Sequence, residues 1–268
     1  MRDARTAASA EAPVLLREDK DAVAILTMNR PRARNALSEA MLQALADALD
    51  ALAADRSVHA VVLQAEGPAF SAGHDLKEIA ANRDRAYYDW LLKECSGVMT
   101  RIVRLPKPVI AAVEGVATAA GCQLVASCDL AVASETAQFA TPGVNIGLFC
   151  STPMVALSRN VAPKHAMEML LTGEMIDAAT AMRIGLVNRV TAPGDVRREA
   201  FSLAARIASK SPLTVRIGKE AFYRQLEQDL DGAYAYASDV MATNLMARDA
   251  AEGIDAFIAK RDPKWEGR

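Results

Sequence analysis

Apolar positions along the chain fall into runs of two kinds. Leu15–Arg17 and Val23–Met28 are short runs around a charged turn, Glu18–Asp21, and predict two strands, the second ended by Pro31. After Ser38, a good helix N-cap, Met41, Leu42, Leu45, Leu49 and Leu52 recur at helical spacing. Val58–Leu63, Val109–Val113 and Leu130–Ala133 are apolar throughout or nearly so, the pattern of strands buried on both faces. Between them lie a loop, Glu66–Asp75, a helical stretch to about Arg104, and a small-residue loop, Gly115–Gly121, that opens a short helix to Cys128. Strands alternating with helices predict an α/β fold with parallel pairing.

From Pro163 onward the pattern is nearly all helical. Gly173 reads as a helix stop, Asp177 as the cap of a short helix ended by Gly185, and Ser211-Pro212 as the cap and first residue of a long helix. Asp249 and Glu252 read as a D-x-x-E capping box before the last helix. These helices exceed what one sheet face needs, so they are expected to pack across the sheet or against other subunits. The chain shows no internal sequence repeat.

Composition narrows the class. The 268 residues are 51% hydrophobic and 24% charged, ordinary for a globular protein and ample for a sizeable core. A net charge of −2 gives no basic field to attract nucleic acid or anionic lipid, and no apolar run approaches membrane-span length, so neither is expected as a partner. Residues 1–13 lack the apolar stretch of a secretory signal and read as a disordered tail. Cys95, Cys122, Cys128 and Cys150 form no C-x-x-C pair, and such scattered thiols point to a reducing, cytoplasmic setting, or to mitochondria if the source is eukaryotic. Three histidines, His59, His74 and His165, without an H-E-x-x-H pattern, make a metal site unexpected.

Three segments hold candidate chemistry. Phe70–Glu78 follows a strand, and its small residues Ser71, Ala72 and Gly73 let a ligand approach the backbone closely. Val113–Gln123 also follows a strand and opens a helix, whose first amides are oriented donors able to hold a developing oxyanion. It has neither a P-loop ending nor a G-x-G-x-x-G pattern. Gln138–Pro153 is apolar, punctuated by glycine and free of acids, the composition of a pocket wall or of core. Taken singly, each segment reads equally as a plain turn or as close packing.

In this order the segments resemble the enoyl-CoA hydratase/isomerase (crotonase) family. Asn29-Arg30-Pro31 with Asn35-Ala36-Leu37 resembles its opening signature, and Phe70–Glu78 and Gly115–Leu124 with Cys128-Asp129-Leu130 resemble its two oxyanion segments. Met169–Glu174 with Ala178–Val187 resembles its later helix pair, and Glu252-Gly253-Ile254 with Phe257, Lys260 and Arg261 its C-terminal signature. The resemblance covers about residues 14–265. It implies a ββα spiral over residues 14–200, a helical oligomerisation region over 201–268, and a homotrimer or hexamer. It implies an acyl-CoA ligand, coenzyme A being part of the substrate, with no permanently bound cofactor. The thioester oxygen would lie between the backbone amides of His74 and Ala120, the His74 side chain being incidental. Ala72 and Leu76 would line the adenine site, Arg32 and Ala33 would lie on the CoA, and Phe257 and Lys260 would reach the nucleotide from a neighbouring subunit.

The same comparison exposes a departure. Hydration needs one group to activate water and another to deliver a proton, and hydratases of the family use two glutamates. Those positions here hold Gln123 and Gly143, and no Asp or Glu occurs from Gly115 to Cys128 or from Thr136 to Met167. The chain resembles a branch of the family that lacks both. It is expected to bind acyl-CoA thioesters in fatty-acid or acyl-CoA metabolism, with ordinary hydration near background. The alternatives are an acyl-CoA decarboxylase-like enzyme, in which Cys150 stands near the place of that branch's Tyr, and a non-catalytic acyl-CoA-binding regulator. Glutamate at both 123 and 143 is expected to move the chain toward hydration where the pocket is otherwise intact.

Overall fold

A computed structural model describes residues 12–268, so nearly all of the expected tail lies outside the described residues. β1 (Leu15–Lys20) and β2 (Val23–Met28) form an antiparallel hairpin whose two turn residues, Asp21 and Ala22, have φ of 49° and 60°. Positive φ at both turn positions matches the right-handed twist of the strands. α1 (Glu39–Ala54) begins where Ser38 accepts the Met41 amide and buries Met41, Leu42, Leu45, Leu49 and Leu52, as their spacing predicts.

The chain then follows one path three times. β3 (Ala60–Ala65) and β4 (Ala69–Ser71) lead into α2 (Leu76–Ala81) and α3 (Arg85–Arg104). β5 (Val109–Val113) and β6 (Val116–Thr118) lead into α4 (Ala120–Ser127). β7 (Leu130–Ser134) and β8 (Gln138–Ala140) lead into α5 (Pro153–Asn160) and α6 (Pro163–Thr172). β9 (Ile176–Asp177), α7 (Ala178–Arg183), β10 (Arg189–Thr191), α8 (Val196–Ala208), α9 (Pro212–Gln225), α10 (Leu230–Leu245) and α11 (Arg248–Ile258) complete it. The first strand of each unit enters a sheet ordered β1-β2-β3-β5-β7-β10, and the second enters a sheet ordered β4-β6-β8-β9. Pairing is parallel between neighbours within β3-β5-β7 and within β4-β6-β8. This α/β architecture is a ββα spiral, a repeat of topology that no sequence repeat announces. β4, β6 and β8 fall in stretches expected to be loop or pocket wall. At three residues each, they are too short for strand alternation to register.

The larger sheet is buried on both faces. Val61, Leu63, Val109, Ala111 and Val113 point into the main core with α1, α3 and α4, while Ala60, Val62, Ile110, Ala112 and Val132 meet Val196, Ala200 and Ala204 of α8. Successive side chains of a strand face opposite sides, which is why these strands lack polar alternation. The boundary expected at residue 200 falls inside α8. α9 is tied down by charge: Lys219 Nζ donates to Asp129 Oδ2 at 2.6 Å and to the Ile102 and Lys107 carbonyls, and Tyr223 donates to Asp129 Oδ1 at 2.9 Å. Among the described residues no helix is long and apolar enough to cross a membrane.

The expected capping box at Asp249 is corrected. α11 starts at Arg248 with Ala247 as its cap, so Asp249 lies inside the helix. Its buried carboxylate accepts Ser211 Oγ at 2.5 Å and the amides of Glu266 and Gly267 at 2.8 and 3.0 Å, pinning the C-terminal tail to the start of α9. Glu252 instead pairs with Arg261 at 2.6 Å. Burial acts to raise the Asp249 pKa, but the hydrogen bonds from Ser211 and the tail amides outweigh it and hold the carboxyl below its ordinary value. A folded pKa below the unfolded one means that the stabilisation is present above the ordinary carboxyl range and lost as pH falls through the folded value. The tail, with Trp265 bonded to the Ser209 carbonyl at 3.0 Å, is therefore expected to detach as pH drops below about 4, and Asp249→Asn to detach it at neutral pH. Trp265 fluorescence during an acid titration measures this, and an unchanged signal down to pH ~2 in wild type contradicts it.

Candidate active site

Residues 30–37 form a saddle under the segment 72–75. Asn35 is fully buried with φ of 49°, a conformation that asparagine tolerates better than most residues. Its side chain accepts the Arg30 amide and donates to the carbonyls of Glu66 and Ala69, each at 2.8 Å. Arg30 donates to the Ala36 carbonyl at 3.0 Å and to Asp75 Oδ2 at 3.2 Å, while Asp75 Oδ1 caps α2 by accepting the Lys77 amide. The Ala72 amide donates to Arg34 O and the Leu37 amide to Gly73 O, at 3.0 and 2.8 Å. The loop carrying His74 is thereby held at both of its edges.

Across from it stands the start of α4. Ala119, the residue before the helix, has φ of 51° and ψ of −120°, a conformation that costs an L-residue about 1–3 kcal/mol and persists only where its surroundings enforce it. Its amide donates to Ala140 O at 2.9 Å. Gly73, with φ of 92°, abuts it: a Cβ there would stand 2.9 Å from Ala119 Cβ and 3.3 Å from the Ala120 nitrogen. At the residue after Ala120, a Cβ on Gly121 would stand 2.2 Å from the Ser71 carbonyl oxygen. The glycines thus press β4 and its following loop against the first turn of α4, so the peptides leading to His74 N–H and containing Ala120 N–H are neighbours. Neither amide has a hydrogen-bond acceptor among the described residues, and the first-turn amides of a helix have none within it. Two free, oriented donors at a helix start can polarise a carbonyl.

Neither expected wall position, 123 or 143, carries a carboxyl group. Gln123 lies one turn into α4, 4% exposed, with its Oε1 unpartnered. Gly143 belongs to a short 3-10 helix, Pro142–Ile146, that closes on itself: its amide donates to Cys150 Sγ at 3.3 Å and its carbonyl accepts the Leu148 amide at 2.9 Å. A Cβ there would lie 2.5 Å from the Leu148 carbonyl oxygen. Burial pushes the Cys150 thiol above its ordinary pKa, against the contrary effect of the Gly143 amide, so it carries no thiolate at neutral pH. Burial also pushes the His74 imidazole below its ordinary value, against the contrary effect of the Leu37 backbone. Among the described residues no cluster of three His, Cys, Asp or Glu could hold a metal.

The other candidates separate into two places. Ala72 and Leu76 flank the His74 loop, Leu76 being 56% exposed, and Arg32 and Ala33 lie in the saddle's short 3-10 turn. Phe257, 86% exposed, lines a groove between α9, α10 and α11 that none of residues 72–76 lines, and Lys260, two residues beyond the end of α11, has φ of 53°. Sequence reasoning missed the Arg30–Asp75 pair and the strained Ala119. The Asn at 35 could have signalled a left-handed residue, whereas an alanine carries no such signal.

A family model for enoyl-CoA hydratase/isomerase matches residues 18–268. Enoyl-CoA hydratase domain-containing protein 3, mitochondrial, of Rattus norvegicus is 50% identical over 92% of this chain and 82% of its own. The crystal structure of an enoyl-CoA hydratase from Mycobacterium smegmatis superposes with a TM-score of 0.92 at 56% identity, covering 94% of this chain and 99% of that one. The human enoyl Coenzyme A hydratase domain-containing protein 3 gives 0.91 at 48% identity, covering 94% and 100%. The cytoplasmic setting expected from the thiols gains no support from these relatives, the rat protein being mitochondrial by name. On sequence, topology and superposition alike, this chain belongs to the enoyl-CoA hydratase/isomerase family.

Proposed function

We propose that the chain binds acyl-CoA thioesters with the carbonyl oxygen between His74 N–H and Ala120 N–H, and that it does so without ordinary hydratase activity. The observation that carries this is the contact of Gly73 with Ala119 and Ala120, which brings two unpartnered amides together at a helix start. The closed loop at Gly143 and the protonated Cys150 favour holding the thioester over a decarboxylase-like reaction, which would draw on a polar side chain near residue 150. Two hydrogen bonds to the carbonyl are worth roughly tenfold or more in affinity. Butyryl-CoA is therefore expected to bind tighter than S-butyl-CoA, the thioether without a carbonyl, by about that ratio in calorimetric titration. Equal affinities for the two contradict the proposal.

The CoA nucleotide would be completed by Phe257 and Lys260 of a second copy, in a homotrimer or hexamer. α9 and α10 bury no residue fully, and Phe222, Leu230, Tyr234, Met246 and Phe257 are all more than half exposed. Apolar surface this extensive marks an interaction face. Sedimentation is expected to show an oligomer at micromolar concentration, and a monomer there counts against this assembly.

A further inference from the structure

Asp129, Lys219 and Tyr223 form a buried polar cluster outside the site described above. The Lys219 and Asp129 side chains are 7% and 14% exposed and pair at 2.6 Å. Tyr223 donates to the other carboxylate oxygen at 2.9 Å, and the Val109 amide donates to Asp129 Oδ2 at 2.7 Å. Asp129 directly follows Cys128, the C-cap of α4. The cluster therefore joins α9 to the end of α4 and to the start of β5. α9 has no fully buried residue, and its grip on the core is polar: Lys219 also donates to the Ile102 and Lys107 carbonyls, both at 2.9 Å.

α4 spans 8 residues, about 12 Å of helix, and so short a helix moves as a rod: a shift at Cys128 is a shift at Ala120. All its residues are buried, but apolar packing is non-directional and leaves movement along the axis open. That movement is stopped at the two ends. At the start, Gly121 lies against the Ser71 carbonyl. At the far end, Asn160 Nδ2 donates to the Ala126 carbonyl at 2.8 Å, and Asp129 is gripped from α9. We propose, resting on the thioester reading above, that Asp129, Lys219 and Tyr223 are positioning residues: by fixing the end of α4 to α9 they hold the Ala120 amide where the thioester oxygen needs it. A hydrogen bond weakens steeply with misalignment, so a helix free to rock at one end loses its bond at the other.

The test compares wild type with Tyr223→Phe, which keeps the ring and removes one donor to Asp129, and with Lys219→Met. Arg197→Met is the control, since it breaks a 2.9 Å pair with Glu66 and loosens α8 on the opposite face of the larger sheet. One readout is the affinity for butyryl-CoA relative to S-butyl-CoA. The other is amide exchange without ligand, followed by mass spectrometry. In Tyr223→Phe the ratio is expected to fall roughly threefold or more while S-butyl-CoA affinity stays within about twofold. Exchange over residues 120–128 is expected to rise roughly tenfold, with residues 39–54 unchanged. Lys219→Met is expected to exceed both effects, because it leaves the buried Asp129 charge unpaired, and Tyr223→Phe decides where that variant fails to fold. Arg197→Met is expected to leave both readouts as in wild type. Unchanged exchange over 120–128 in Tyr223→Phe, or an unchanged ratio there when the wild type prefers the thioester, overturns the proposal. If the wild type itself binds the two ligands alike, it is the thioester reading that falls, and the role given to the cluster falls with it.

Discussion

Crotonyl-CoA hydration is expected to stay at or near the uncatalysed background in the wild type, and equally so in Gly143→Glu. Each general acid or base removed from such a reaction typically costs ~10²–10⁴-fold, and both positions lack one here. Substitutes are not at hand. Gln123 cannot ionise. Cys150 is held as a thiol by burial, and burial makes the His74 ring a weaker proton acceptor. Cys122, also buried, is pushed up to about 12. Two amide donors, as proposed for His74 and Ala120, would stabilise an enolate but leave water a poor nucleophile.

Restoring the two glutamates, the repair that sequence alone suggests, meets an obstacle that only the fold reveals. Any Cβ at residue 143 would lie 2.5 Å from the Leu148 carbonyl oxygen and 2.9 Å from Cys150 Sγ. The first is a backbone atom, so the loop itself must open and surrender the Leu148–Gly143 hydrogen bond of 2.9 Å. Overpacking of this kind costs about 1–3 kcal/mol. Gly143→Glu is thus expected to lower the thermal midpoint without placing a carboxylate on the pocket wall, and adding Gln123→Glu is expected not to rescue hydration. The assay follows loss of the conjugated thioester chromophore alongside thermal melts of the variants. Wild-type turnover within roughly tenfold of a hydratase that keeps both glutamates refutes the first claim, and an unchanged midpoint in Gly143→Glu refutes the second.

What the sequence disclosed depends on how local the cause is. The α1 stripe and the doubly buried strands follow from spacing within a dozen residues, and both were legible. The segments around His74 and Ala120 were legible as small-residue loops after strands. Their meeting was not, because it depends on Gly73 reaching Ala119 across forty-six positions of chain. Asp249 misled for the same reason: D-x-x-E is a local pattern, but its carboxylate is engaged by Ser211, 38 residues earlier, and by Glu266, 17 later. The absence of an acid at 143 could be read directly. That the loop closes over the position could not, since it rests on where the Leu148 carbonyl folds back.

Gly121→Ala is expected to lower the thermal midpoint by roughly 2–12 °C and to erase the preference for thioester over thioether. The added Cβ would stand 2.2 Å from the Ser71 carbonyl oxygen and 2.8 Å from its carbon, both backbone atoms of β4. The contact can be relieved only by moving α4 off β4. An overpacked site of this kind costs about 1–3 kcal/mol, and each kcal/mol moves the midpoint of a domain this size by roughly 2–4 °C. The same movement carries Ala120 N–H away from His74 N–H, the pair proposed to hold the thioester oxygen. Gly218→Ala is the control: it lies in α9, a Cβ there meets nothing within 4 Å, and alanine favours the helix by about 0.5–1 kcal/mol over glycine. Its midpoint is expected to hold or rise, with thioester preference intact. If Gly121→Ala behaves like Gly218→Ala in both measurements, the junction of β4 with α4 is slack, and the paired amides are not what distinguishes the ligand.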